Sequence, residues 1–230
     1  MAISVAIISC NSNSNKDSES SGIESSSKTS SNDGNSYECL KKYQDRYDQL
    51  ITKEEFASLY PFDSEAVKEE LQEGSYGRYA LRWPSDRPDM TMEVSGRTMT
   101  LPDQNSMEVA LLSFSDDKTS LQEAKDYFDM GYKNLSDKEL EQIDKNLEKA
   151  DENIKNTGKD LMEVRKKMNN EFVDGVGSSA WYKWTDNHGG ELSVLAGRAQ
   201  FKIRIKISQD ADENKELAKK LAQIAISKCH

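Results

Sequence analysis

At 230 residues, with 35% apolar side chains, 31% charged ones and a formal charge of −10, the chain has room for one good-sized domain with tails, or two small ones. Such an acidic balance repels nucleic-acid phosphate and anionic lipid, so it excludes nucleic acid as a partner outside any local basic patch. Part of the apolar deficit is concentrated between Asn11 and Ser36, where 16 of 26 residues are serine or asparagine and Ile23 is the only large apolar side chain. Such a run cannot repay its ordering entropy and reads as a flexible tether.

Ahead of that tether stands "MAISVAIISC", a short apolar segment ending in Cys10. "IISC" (Ile7, Ile8, Ser9, Cys10) has the aliphatic–any–small–Cys order and resembles the bacterial lipoprotein signal. The resemblance implies cleavage after Ser9 and acylation of Cys10, with two or more acyl chains giving stable anchoring. It implies a signal segment over 1–9, a tether over 10–36 and one domain over 37–230. Only nine uncharged residues precede Cys10, so a complete signal of this kind calls for a Lys- or Arg-bearing extension upstream. The expected location is the cell envelope, periplasmic or surface-exposed, with the membrane as a partner through the lipid.

Within the domain, "YECLKKYQDRYDQL" predicts a helix over about 38–50, with Tyr43, Tyr47 and Leu50 on one face. A second helix starts at Thr52, which forms a capping box with Glu55, and stops at Pro61. The period then changes from 3.6 to 2. Tyr79, Leu81 and Trp83 alternate with Arg78, Ala80 and Arg82, and the pattern continues through Met90–Val94, a Ser95–Gly96 turn and Met99–Leu101. "SMEVALLSF" is apolar on both faces near Val109–Leu112, which predicts a central strand. The methionines between 90 and 107 fall on alternating strand positions and read as core filling rather than as a soft-metal site.

Helix resumes at about Thr119, and Ser136 with Glu139 forms a capping box that opens a long helical segment, 136–169. Leu140, Ile143, Leu147, Ala150, Ile154, Thr157, Leu161, Val164 and Met168 keep heptad spacing, with a kink or break predicted at Thr157–Gly158. This stripe either lies on the domain's own sheet or forms the seam of a homodimer; the intradomain packing is the expected one.

The last quarter reads as a glycine turn (Gly175, Gly177), the strand "SAWYKW", a "DNHG" turn, the strand "ELSVLAG", the strand "AQFKIRIKIS" and a helix from about Asp212. The segments "GVGSSAWYKW", "LSVLAGRAQFKIRI" and "NKELAKKLAQIAISK" resemble the end of small secreted lipoproteins of PsbP-like architecture, over about 173–228. The small–Asp pair after the glycine turn of that architecture is Ser178–Ser179 here. The resemblance implies an α+β fold, an antiparallel sheet with helices packed on its faces, and a binding or accessory role without catalytic residues.

Cys39 and Cys229 lie at the two ends of the predicted domain. In an oxidising compartment they can close a loop of about 190 residues; the alternative is two unpaired thiols. No CxxC, HExxH or zinc-spaced Cys/His cluster occurs, and the two histidines, His188 in a hairpin turn and His230 at the end, make poor catalytic bases. No cofactor or metal is expected. Trp181, Tyr182 and Trp184 place aromatics on both faces of one strand, and Lys202, Arg204 and Lys206 line one face of another; together they form the expected contact surface for an unknown protein or small ligand. The expected role is a non-catalytic binding or structural module of the envelope. The alternative is an intracellular α+β interaction protein that dimerises through 136–168.

Overall fold

The computed structural model describes residues 37–74, 76–186 and 188–229. Cys10, the signal segment 1–9 and the tether 10–36 lie outside the described residues. The helix expected over 38–50 forms in two pieces: a 3-10 helix, Glu38–Tyr43, and a single α-helical turn, α1 (Tyr47–Leu50). Between them Arg46 leaves helical geometry at φ −135°, ψ 56°. Tyr47 enters the core, where its hydroxyl oxygen accepts the Leu112 N–H at 3.0 Å. That N–H belongs to a bulge in the sheet, at which Leu111 has φ 56° and the pairing register shifts. The helix α2 (Lys53–Leu59) opens on the Thr52–Glu55 capping box, with the Thr52 N–H donating to Glu55 Oε2 at 2.8 Å.

Seven strands then form one antiparallel sheet: β1 (Lys68–Gln72), β2 (Arg78–Pro84), β5 (Gln104–Phe114), β6 (Asn170–Phe172), β7 (Ser179–Thr185), β8 (Gly189–Ala196) and β9 (Ala199–Lys206). Their spatial order is β1-β2-β5-β9-β8-β7-β6, so β9 returns to pair with β5 at the centre. The strands β3 (Met90–Val94) and β4 (Arg97–Leu101) do not extend this sheet; they form a separate two-stranded ribbon between β2 and β5. Its turn residues Ser95 and Gly96 both have positive φ, 52° and 75°, as tight hairpin turns demand. Core filling therefore holds for Met107, which is fully buried, but not for Met99, which is 46% exposed on the ribbon.

One sheet face carries the core. Tyr79, Leu81, Met107, Val109, Leu192, Val194, Phe201, Ile203 and Ile205 alternate inward on their strands and are buried. The closing helix α6 (Ala211–Ser227) lies over β8 and β9 and buries Leu217, Ala218, Leu221, Ala222 and Ala225. Leu40, Leu50, Ile51 and Phe56 from the amino-terminal segment complete the layer. Each such large side chain contributes about 1.5–3 kcal/mol by burial. Cys39 and Cys229 meet at the edge of this layer and are joined by a disulfide, with Cα atoms 5.6 Å apart.

On the opposite face the helix α3 (Leu121–Tyr132) covers one corner, burying Ala124 and Phe128 beside β7. The segment 136–169 is two helices, α4 (Asp137–Glu148) and α5 (Glu152–Lys166). The break falls at 149–151 and not at Thr157–Gly158, because Asp151 caps α5 by accepting the Ile154 N–H at 3.1 Å. The helices fold back on each other, and Gly158 sits inside α5 where a Cβ would come within 2.3 Å of the Leu147 side chain. The glycine that reads as a helix breaker instead leaves room for the Leu147 side chain against α5. Leu140, Ile143 and Leu147 are half-buried in this hairpin, whereas Ile154, Leu161 and Val164 are more than half exposed. Among the described residues no helix is long and apolar enough to cross a membrane.

Candidate functional site

The half of the sheet that α3 leaves open is lined by charge. Because opposite residues of an antiparallel pair share a face, the registers align one row across six strands. It runs Lys183 on β7, Glu191 on β8, Arg204 on β9, Glu108 on β5, Ala80 on β2 and Glu70 on β1. Lys202 lies two positions from Arg204 on the same face, and Arg78 and Arg82 lie two positions either side of Ala80.

These groups form one chain of alternating sign: Lys202–Glu191–Arg204–Glu108–Arg82–Glu70–Arg78. Arg204 donates through Nε to Glu191 Oε2 at 2.7 Å and through Nη1 to Glu108 Oε1 at 2.6 Å, and Lys202 closes on Glu191 Oε1. Beyond Glu108 the contacts lengthen. Arg82 Nη2 stands 3.6 Å from Glu108 Oε2, Arg82 Nε donates to Glu70 Oε2 at 3.1 Å, and Arg78 Nη2 is 3.6 Å from the same oxygen. Glu108 is the buried member, its side chain 5% exposed. The basic face expected on β9 is thus paired, with carboxylates of neighbouring strands rather than of helices. Its open part is a depression of about 430 Å³ bordered by Arg78, Arg82, Glu108, Lys183, His188 and Arg204.

Burial alone would raise the pKa of Glu191, but Lys202 and Arg204 outweigh it and hold the carboxyl below its usual range. Burial likewise opposes the charge of Arg204, and Glu191 and Glu108 restore it, leaving its pKa raised. A carboxyl with a depressed folded pKa contributes stability that is complete above the unfolded value, near 4.3, and is lost as pH falls through the folded value. Urea midpoints measured between pH 7 and pH 3 should therefore fall on acidification, and less steeply in Glu191→Gln. Identical slopes for the two proteins would refute the coupling.

The six residues expected to share a contact surface occupy four places. Lys202 and Arg204 belong to the charged row. Trp181 is on the same face but half-buried under α3; its indole N–H donates to Asp129 Oδ1 at 2.9 Å and its ring meets Phe172 edge-on at 5.4 Å. Tyr182 is on the core face, 3% exposed, and its hydroxyl donates to the Ala211 carbonyl at 2.9 Å. It is therefore a core residue beneath the start of α6. Trp184 shares the side of Tyr182 and, with Lys206, borders a second depression of about 400 Å³ that includes Arg87, Asp103, Asp186 and Gln209. There Lys206 and Arg87 both engage Asp103, and the two cations outweigh burial to lower its pKa.

Single-strand reading missed Arg78, Arg82, Glu70, Glu108 and Glu191 as site residues. The signal present was a lone carboxylate in each of two otherwise apolar strands, Glu108 in "SMEVALL" and Glu191 in "ELSVLA". Among the described residues no group of three or more His, Cys, Asp or Glu side chains is placed to hold a metal ion. No family model, curated protein or solved structure matches the chain.

Proposed function

We propose that this chain is a cell-envelope lipoprotein of PsbP-like architecture, anchored through lipid on Cys10, whose domain acts by binding through the open charged face of its sheet. The observation that carries the binding role is the alternating row of four cations and three carboxylates on that face. Partly desolvated ion pairs cost free energy that apolar side chains in the same positions would not, so recognition explains their presence better than stability does. Several members are already committed to one another in ion pairs, which favours docking of a ligand over a group held ready for proton transfer or nucleophilic attack.

The envelope location draws support from the Cys39–Cys229 disulfide, since such bridges persist in oxidising compartments. The antiparallel sheet with α6 laid along β8 and β9 fits the architecture that the last quarter resembles. Metabolic labelling with a radioactive fatty acid, in a bacterial host expressing the protein from its native start, tests the anchor. Label is expected on the wild type and absent from Cys10→Ala; an unlabelled wild type ends the lipoprotein reading.

A further inference from the structure

The charged row is closed at one end and open at the other. On the β9 side Lys202 and Arg204 hold their carboxylates at no more than 2.7 Å. On the β2 side Arg78 Nη2 stands 3.6 Å from Glu70 Oε2 and Arg82 Nη2 3.6 Å from Glu108 Oε2, both beyond hydrogen-bond distance. Arg78 Nε has no acceptor at all, and it is the only buried side-chain nitrogen or oxygen among the described residues left in that state. A buried donor without a partner is rare enough in folded proteins to need a cause.

Three further features bear on the cause. Arg78 and Arg82 flank the fully buried Ala80 on one face of β2, and both border the depression. They share one oxygen, Glu70 Oε2, from a side chain on edge strand β1 that is 43% exposed. Four cationic side chains against two carboxylates border the depression, Arg78, Arg82, Lys183 and Arg204 against Glu108 and Glu191, in a chain whose overall charge is −10.

Resting on the binding role proposed above, we infer that this depression takes a phosphoryl group between Arg78 and Arg82, as part of a small phosphomonoester. Guanidinium groups only donate, and their planar fork matches the oxygens of phosphate, so an oxyanion suits Arg78, whose ion-pair contact with Glu70 is as long as 3.6 Å. Two guanidinium groups sharing one carboxylate oxygen present more donors than that oxygen accepts, and a tetrahedral dianion supplies the remainder. The phosphoryl group occupies only the β2 end of the 430 Å³ space. The rest of the ligand extends toward Lys183 and His188, which line the same depression with Gly189 and Gly190. Glu70 acts as the internal competitor that the phosphoryl group displaces.

The test titrates the full chain with inorganic phosphate and with glycerol 2-phosphate. It follows heat and the ¹⁵N-detected arginine Nε–H resonances, with glycerol as the neutral control. Saturable binding of both phosphates is expected, with glycerol 2-phosphate the tighter, a shift of the Arg78 Nε–H signal and no response to glycerol. Arg78→Gln should weaken binding at least tenfold. Glu70→Gln should tighten it several-fold, and it carries the test should Arg78→Gln fail to fold. Lys220→Gln, on the exposed side of α6, should change nothing. Absence of saturation, or unchanged affinity in Glu70→Gln, overturns the inference. So does Arg78-dependent binding to phosphatidylglycerol vesicles without binding of the soluble phosphates, which would assign the face to a membrane surface. Fatty-acid labelling of Cys10 does not depend on any of these results, so the anchor and the ligand stand or fall separately.

Discussion

Replacing Cys39 and Cys229 together by serine should lower the unfolding free energy by about 4 kcal/mol and the melting temperature by roughly 10 °C. The bridge spans 190 residues of sequence, so in the unfolded chain it forbids a very large set of open conformations. Chain entropy for a loop of that length gives about 5 kcal/mol, toward the upper end of measured disulfide contributions. Because the effect acts on the unfolded state, the denaturant slope should rise as well: a chain without the cross-link exposes more surface when it unfolds. Urea titrations of the wild type, with and without a phosphine reductant, and of the double variant decide the matter. A midpoint that the reductant leaves unmoved would show that the bridge is not closed in the folded protein.

The second large effect is expected at Asn214, a polar side chain with no solvent exposure beneath the β9–α6 connection. Its Oδ1 accepts the Ile207 N–H at 3.0 Å, and its Nδ2 donates to the carbonyls of Ser208 at 3.0 Å and Asp210 at 2.6 Å. One amide thus satisfies three main-chain groups in the corner where the central strand turns into the closing helix. Asn214→Ala orphans the Ile207 N–H and the Ser208 carbonyl, while the Asp210 carbonyl keeps the main-chain N–H of residue 214 at 3.3 Å; at about 1–3 kcal/mol for each orphaned group a loss of about 3 kcal/mol is expected. Asn214→Asp should lose at least as much near neutral pH, since a carboxylate turns acceptors toward the Ser208 and Asp210 carbonyls and buries a charge. Chemical denaturation of the two variants measures this; a loss under about 1 kcal/mol for Asn214→Ala would mean that the corner relaxes around the gap.

What the sequence discloses depends on how each element earns its place. The block from β7 to α6 was legible because its order comes from apolar alternation: Phe201, Ile203, Ile205 and Ile207 point one way, and Leu217, Leu221 and Ala225 keep helical spacing. The edge strands β1 and β6 were not. "KEELQ" has no apolar face, and its pairing is reinforced by contacts to neighbours: Glu69 reaches Lys53 and the Tyr79 hydroxyl, and Glu70 reaches Arg82. Rules that follow apolar residues cannot see such a strand. The turn between α4 and α5 was misplaced for a related reason. Two helices packed on each other both carry apolar stripes, and the stripe spacing runs through the turn without a gap, so only the Asp151 cap marks it.

The site was half legible for a geometric reason. Alternation along β9 correctly put Lys202, Arg204 and Lys206 on one face, but which carboxylates meet them depends on neighbours about 100 residues away, as Arg204 and Glu108 show. The aromatic trio lies on both faces of β7, as strand alternation expects. Trp181 went under α3 and Tyr182 into the core, so the strand's aromatic surface never forms as a unit.

The placement of β9 at the centre of the sheet also dictates an order of events. β1, β2 and β5 can pair as a local meander, but the inner edge of β5 has no partner until residues 199–206 have been made. Contacts between residues so far apart are the slowest to form. During synthesis, therefore, most of the chain exists without the strand that joins its two halves, and the fold closes only when the last quarter arrives.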